Sequence, residues 1–248
     1  MIPWEVTRPT PSNFQDLAFP MAALRRDAAS YALRLDKSFQ FLSSASVGEG
    51  FLESRWVLSR QVGRDTRLPD PEAYLREDAI NAGIPQGEPY IGLLTAVSHL
   101  DLQVVSVVED GVAITVITTV GVDPGSSPLQ KRVSFFGDTV NGDMDKTNRP
   151  GTINMVVLVD AALTAGALVR ASTMATEAKT LALVEFGLKT SEGHLVTGTP
   201  TDTTVVGHSG RGKGFKYAGS ATLVGWLVAQ AAHISVRDGL AAFAKRNY

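Results

Sequence analysis

Three short segments hold the residues best suited to chemistry. The first is Gly151-Thr152-Ile153-Asn154. The Pro150-Gly151 pair sets a turn just before an apolar run, so Thr152 stands at the entrance of a strand. Side chains two apart share a face of a strand, which puts the Thr152 hydroxyl and the Asn154 carboxamide together beside Val156 and Leu158. Polar groups on a core face need partners. The pair reads either as a nucleophile with its orienting group, or as an ordinary strand entrance with one Asn bonded to nearby backbone. Taken alone, the residues favour the second. The next segment, Thr197-Gly198-Thr199-Pro200-Thr201-Asp202, crowds hydroxyls and a carboxylate into one turn. It suits a polar substrate, or an acid that orients a hydroxyl nucleophile. It equally suits a turn capped by its own side chains. The third, Thr118-Thr119-Val120-Gly121, ends a strongly β-branched run. Backbone N–H groups beside such a glycine can form an oxyanion hole, although most strand-end glycines only turn the chain.

Other motifs point away from familiar chemistries. Gly207-His208-Ser209-Gly210-Arg211-Gly212-Lys213 fits G-x-x-x-x-G-K, but Gly214 follows where a Ser or Thr would hold magnesium. A solvated basic loop is the simpler reading. The four histidines, His99, His194, His208 and His233, lack an H-E-x-x-H arrangement, so no metal site is expected. No G-x-S-x-G elbow is present. Glu177 and Lys179 fall mid-helix as candidate surface residues, Glu177 close to a stripe of small residues.

Composition sets the wider bounds. The 248 residues include no cysteine, which excludes disulfides, thiolate metal sites and a cysteine nucleophile. A net charge of −2 without a basic stripe argues against nucleic acid as a partner. The first residues lack the pattern of a signal peptide. Ala218–Val236 is apolar but carries Gln230 and His233, so a buried helix is expected rather than a membrane span. A soluble cytoplasmic protein is the expectation. The sequence leaves room for a homo-oligomer.

The elements that must position these residues follow from periodicity. Tyr31, Leu33 and Leu35 alternate with polar or small neighbours, 38–42 reads as a second strand and 55–62 as a third. Residues 72–82 read as a helix. Runs 102–109 and 112–120 flank Asp110-Gly111, the favoured pair for a two-residue hairpin. A polar loop interrupted by RVSFFG leads to the strand 152–160. Thr164 caps a helix that runs to Phe186 and stops at Gly187. Leu168, Ala171, Ala175, Ala178 and Ala182 give it a small-residue stripe. A short strand at 203–206 and an amphipathic helix over 222–245 complete the chain. Strands and helices mix around at least one hairpin, so the fold class is α+β, as a single domain over 1–248.

In order, these segments resemble the adenosylcobinamide amidohydrolase family. Leu42-Ser43-Ser44-Ala45 with Gly48-Glu49-Gly50, TTVG at 118–121, GTIN at 151–154, ATEAK at 175–179, TGTPTD at 197–202 and Tyr217-Ala218-Gly219 carry the resemblance. It implies a hydrolase that cleaves the aminopropanol amide of adenosylcobinamide, releasing adenosylcobyric acid in corrinoid salvage during cobalamin biosynthesis. The corrinoid is then the substrate, and no cofactor is required. A more distant likeness to ornithine acetyltransferases and β-aminopeptidases implies a layered αββα sandwich with mixed sheets. It also implies a self-cleaved Gly151–Thr152 bond with Thr152 as nucleophile. The α-amine so freed, with an ordinary pKa of ~7.7–8, would serve as base. Asn154 and Asp202 would orient the attack, and Thr119 and Gly121 would supply the oxyanion hole beside Thr118. Ser43, Ser44, Gly48, Thr199, Thr201 and Glu177 are the implied substrate-side residues. Val120, the 122–124 turn, Pro200 and Glu49 depart from the family pattern. They motivate two alternatives: a corrinoid-binding module without catalysis, and an acyl transferase or amidase acting on another amide.

Overall fold

The structure is a computed structural model that describes residues 4–6, 13–63, 70–131 and 151–247. Its strands are β1 (Trp4–Val6), β2 (Gln15–Asp16), β3 (Ala22–Arg26), β4 (Ser30–Ser43), β5 (Gly50–Gln61), β6 (Ile91–Thr95), β7 (Gln103–Glu109), β8 (Val112–Gly121), β9 (Thr152–Asp160), β10 (Ala162–Leu163), β11 (Thr203–His208) and β12 (Gly214–Phe215). The helices are α1 (Pro71–Ala82), α2 (Ala165–Phe186) and α3 (Leu223–Asn247).

The sheet runs β1-β7-β8-β9-β11-β4-β3-β2, with β5 along β4 and β6 along β5. β9 and β11 are parallel, as are β5 and β6, so the sheet is mixed. It curls until its two halves face each other. The α2–α3 pair packs outside the β7-β8-β9-β11 half through Val157, Val206, Leu168, Val228 and their neighbours. Leu33, Phe39, Phe41, Leu93, Val156 and Val205 fill the space between the halves. Leu58 and Trp56 meet Ala79 and Ala82 of α1 on the far side. The fold is α+β with αββα layering. The two β layers that the resemblance implied as sheets are one continuous hydrogen-bonded sheet.

The curl is traceable to β4. Its pairing with β5 shifts register between Arg34 and Phe39, and Asp36, Lys37 and Ser38 bulge into solvent. Three residues that leave the ladder bend the strand without changing the face on which Leu33, Leu35, Phe39 and Phe41 lie. The exposed 36–38 interruption is why residues 30–43 read as two strands in the sequence. Beyond the bend β4 pairs with β11, where Phe41 lies over Gly207 at a point where any Cβ would collide with the ring.

Local signals fix the helices. Asp70 caps α1 through the Ala73 N–H, with Pro71 at its first position. Thr164 accepts from Ala167 at the start of α2, and Gly187 ends it at φ 79°. Asp110 and Gly111, both at positive φ, make the β7–β8 hairpin turn. The RVSFFG run lies outside the described residues. No helix among the described residues is long and apolar enough to cross a membrane.

The Gly207–Lys213 segment differs from its reading as a loop. Gly207 and His208 belong to β11, and the His208 ring is buried. Its Nδ1 accepts from the Leu163 and Gly210 N–H groups. Burial lowers its pKa, which favours the neutral acceptor. The chain then forms β12 against β10 rather than a phosphate-binding helix start.

Candidate active site

The inward face of the β8–β9 pair carries the polar residues singled out above. On β9, Val156 and Leu158 point into the core between the halves, whereas Ile153, Met155 and Val157 face the helices. Thr152 and Asn154 therefore project inward. The antiparallel register sets Gly121 opposite Thr152 and Thr119 opposite Asn154. Thr118, one residue out of phase, faces the helix side. Its hydroxyl is not on the face of Thr152, which corrects the expectation that it belongs to an oxyanion hole.

Thr152 is buried, and its hydroxyl donates to the Thr201 carbonyl at 2.9 Å and to Asn154 Oδ1 at 3.2 Å. The Asn154 amide is oriented from its other end, donating to the Leu94 carbonyl of β6 at 2.9 Å. The Thr119 hydroxyl is buried with no hydrogen-bond partner among the described residues. A cavity of about 240 Å³ opens onto Thr152, lined also by Gln61, Ser98, Gly121, Asp123 and Arg246. Arg246 forms an ion pair with Asp101, and burial lowers its pKa. Gly121 is required here, because a Cβ would stand 2.5 Å from Val97 Cγ2. A larger cleft of about 720 Å³ lies beyond the other end of β9, beside Thr164, Arg170 and the Tyr217-Ala218-Gly219 segment. None of the residues expected at the site lines it.

The 197–202 turn closes over the start of β9. Asp202 does not bond the Thr152 hydroxyl. Its Oδ1 accepts from the Ile153 N–H at 3.0 Å and from the Thr199 hydroxyl. Its Oδ2 accepts from the Thr199 N–H at 3.1 Å and from Lys179 Nζ. The Thr201 hydroxyl donates to the Gly151 carbonyl at 2.9 Å. Thr199 and Thr201 thus organise the turn and the strand entrance.

The remaining expected residues sit apart. Ser43 pairs with Val205 of β11, and Ser44 exchanges hydrogen bonds with Thr204. Both splice β4 to β11, two strands from β9. Gly48, at φ 71°, lies against β6, where a Cβ would meet the Tyr90 carbonyl at 2.7 Å. Glu177 is exposed and faces Arg170 at 3.9 Å. Two residues along a helix turn about 200°, so Glu177 points out where Lys179 points in. This corrects the placement of Glu177 at the site.

Lys179 and Leu94 are the participants that the sequence reading missed. Lys179 is 7% exposed. The signal was available: it stands four residues after Ala175, on the buried stripe of α2. Leu94 contributes only backbone, from a short strand with no alternation.

The profile of a family described as adenosylcobinamide amidohydrolase matches residues 21–248. The chain belongs to that family. This is a family of hydrolases that act on an amide bond. An adenosylcobinamide amidohydrolase of Methanosarcina mazei is 31% identical over 206 residues, 79% of this chain and 88% of that protein. An uncharacterised protein of Methanocaldococcus jannaschii is 28% identical over 79% of this chain and 80% of its own length. Among solved structures, a Burkholderia sp. beta-aminopeptidase aligns at a TM-score of 0.43 with 12% identity, over 93% of this chain and 82% of that one. Within the family's span lie all the segments that build the Thr152 face.

Proposed function

We propose that this chain hydrolyses the aminopropanol amide of adenosylcobinamide, with Thr152 as nucleophile, and yields adenosylcobyric acid for corrinoid salvage. The observation that carries the reading is Thr152 on the wall of a cavity, with Gly121 opposite and an oriented Asn154 beside its hydroxyl. The family membership supplies the substrate class.

The Thr152 oxygen adds to the amide carbonyl carbon. The C–N bond breaks, and the hydroxyl proton leaves with the aminopropanol amine. Water then hydrolyses the ester on Thr152, giving the carboxylic acid and restoring the hydroxyl. Asn154 holds the attacking oxygen. The Thr119 hydroxyl, two residue pairs deeper than Gly121, is a buried donor with no partner among the described residues. Such a donor costs about 1–3 kcal/mol, and a developing oxyanion would offset it.

The nucleophile also needs a base. In the intact chain, among the described residues, its proton faces two amide-type oxygens, those of Asn154 and Thr201. Every acceptor of Asp202 that is described is already engaged. Cleavage of the Gly151–Thr152 bond would free an α-amine on Thr152 itself, which supports the self-cleaved form as the active species. A single domain suffices for this chemistry, and the corrin ring remains outside the cavity.

Incubating the protein with adenosylcobinamide and quantifying free aminopropanol tests the reading. Release by the wild-type protein is expected. A folded protein that binds corrinoid without releasing aminopropanol contradicts it, and product formation that requires an added amine acceptor identifies an acyl transferase instead.

A further inference from the structure

Lys179 is an expensive residue for its position. Every other buried residue of α2, from Ala167 to Leu183, is apolar. Immobilising a lysine side chain costs about 1.5–2 kcal/mol of rotamer entropy, and desolvating its charge costs several kcal/mol more. A buried ion pair is often matched or bettered in stability by apolar residues of similar volume. Fold stability alone therefore gives a weak reason for the Lys179–Asp202 pair.

Its connections give a stronger one. The Asp202 carboxylate joins α2, the 197–202 turn and β9 in one node, receiving Lys179, Thr199 and the Ile153 N–H. The Ile153 N–H belongs to the peptide group that leaves Thr152, so this bond fixes the plane on one side of Thr152. Thr180, the next residue of α2, ties the start of the same turn by donating to the Thr197 carbonyl at 3.3 Å. Gly198 is needed for the approach, since a Cβ there would lie 2.8 Å from Asp202 Oδ2 and 3.7 Å from Lys179 Nζ.

We infer that Lys179 is a positioning residue: its ammonium fixes the Asp202 carboxylate, and through the Ile153 N–H that carboxylate holds the Thr152 hydroxyl toward the cavity. The inference rests on the proposed role of Thr152. Lys179 does not touch Thr152, and its effect passes entirely through Asp202. Misplacing a nucleophile costs rate rather than ground-state binding, because the transition state demands the tighter geometry.

The test compares full-length wild type, K179M, K179R and G198A. One readout is the kcat and KM of aminopropanol release. The other, independent of turnover, is the ¹⁵N–¹H resonance of the Ile153 amide. K179M is expected to lower kcat about tenfold to a hundredfold, with KM within about threefold of wild type. Its Ile153 resonance shifts, and K179R lies between K179M and wild type in both readouts. G198A leaves both charges in place and crowds the carboxylate. It is expected to lower kcat and shift Ile153 as K179M does, which keeps the test decisive if K179M does not fold. Wild-type kcat in K179M or in folded G198A, with an unmoved Ile153 resonance, overturns the inference. If the wild type itself shows no turnover, the substrate reading fails, and the Ile153 resonance alone decides the role of Lys179.

Discussion

The Thr201 hydroxyl donates to the carbonyl oxygen of Gly151 at 2.9 Å, on the peptide group that joins Gly151 to Thr152. The same residue's carbonyl accepts from the Thr152 hydroxyl at 2.9 Å. One residue therefore touches both the electrophile and the nucleophile of the proposed self-cleavage. Gly151 is confined as well, since a Cβ there would meet the carbonyl oxygen of Gly121 at 2.7 Å and the N–H nitrogen of Asp123 at 2.9 Å.

From this arrangement T201V should slow the appearance of fragments 1–151 and 152–248. A single oxyanion donor is worth about a hundredfold to a thousandfold in comparable sites. Denaturing mass spectrometry of freshly expressed protein, followed over time, reads the rate directly. The backbone carbonyl of residue 201 survives the substitution, so the orientation of Thr152 is retained. Cleavage at the wild-type rate in T201V would remove Thr201 from this role.

Gly121 faces Thr152 across the β8–β9 pair, with Val97 behind it. G121A places a methyl group within 2.5 Å of a Val97 methyl. Overpacking of this kind destabilises by about 1–3 kcal/mol. Chemical denaturation should show that loss, and kcat should fall with it because the strand pair carrying Thr152 must shift. The double variant G121A/V97A should recover much of the stability. Unchanged stability in G121A would show that this contact is not tight.

His99 is fully buried under β5, where its Nε2 meets the Ser59 hydroxyl at 2.9 Å. Burial pushes its pKa down to about 4. The unfolded chain binds a proton near the ordinary value of about 6.5, so as pH falls from about 6.5 toward 4 the unfolded state gains protons that the folded state does not. Stability is present above that window and is lost within it, on the order of 3 kcal/mol for this one group. Urea unfolding at pH 7, 5.5 and 4.5 should show a steeper decline in wild type than in H99L. H99L is expected to be less stable at pH 7, because the buried Ser59 hydroxyl loses its hydrogen bond to the ring. Parallel pH dependences in the two proteins would contradict the assignment.

Local rules made much of the architecture legible. The Asp110-Gly111 hairpin, the Thr164 cap, the Gly187 stop and the 152–160 strand each depend on residues within a few positions, and each stands as the sequence reads. What local rules conceal is tertiary. The β4 bend is invisible because the exposed 36–38 stretch reads as a break between two strands, and β6 is a short apolar run that becomes a strand only by pairing in parallel with β5. The site divides in the same way. Thr152 shares a face with Asn154, and Thr119 with Gly121, because strand alternation is local; the β8–β9 register that sets one pair opposite the other is tertiary. Lys179 was read as a surface residue because charge outweighed helical phase, whereas Glu177, two positions earlier, was drawn toward a site it faces away from.

Thr152 makes two hydrogen bonds with its hydroxyl, to Asn154 and to the Thr201 carbonyl. T152A should therefore lose about 1 kcal/mol of stability, and T152S should keep the fold and part of the activity. The measurement that tests the account most directly is the rate of aminopropanol release from adenosylcobinamide by T152A relative to wild type, with both proteins shown to be folded. The account predicts release by wild type and a loss of about a thousandfold or more in T152A. Release by T152A at the wild-type rate would contradict it.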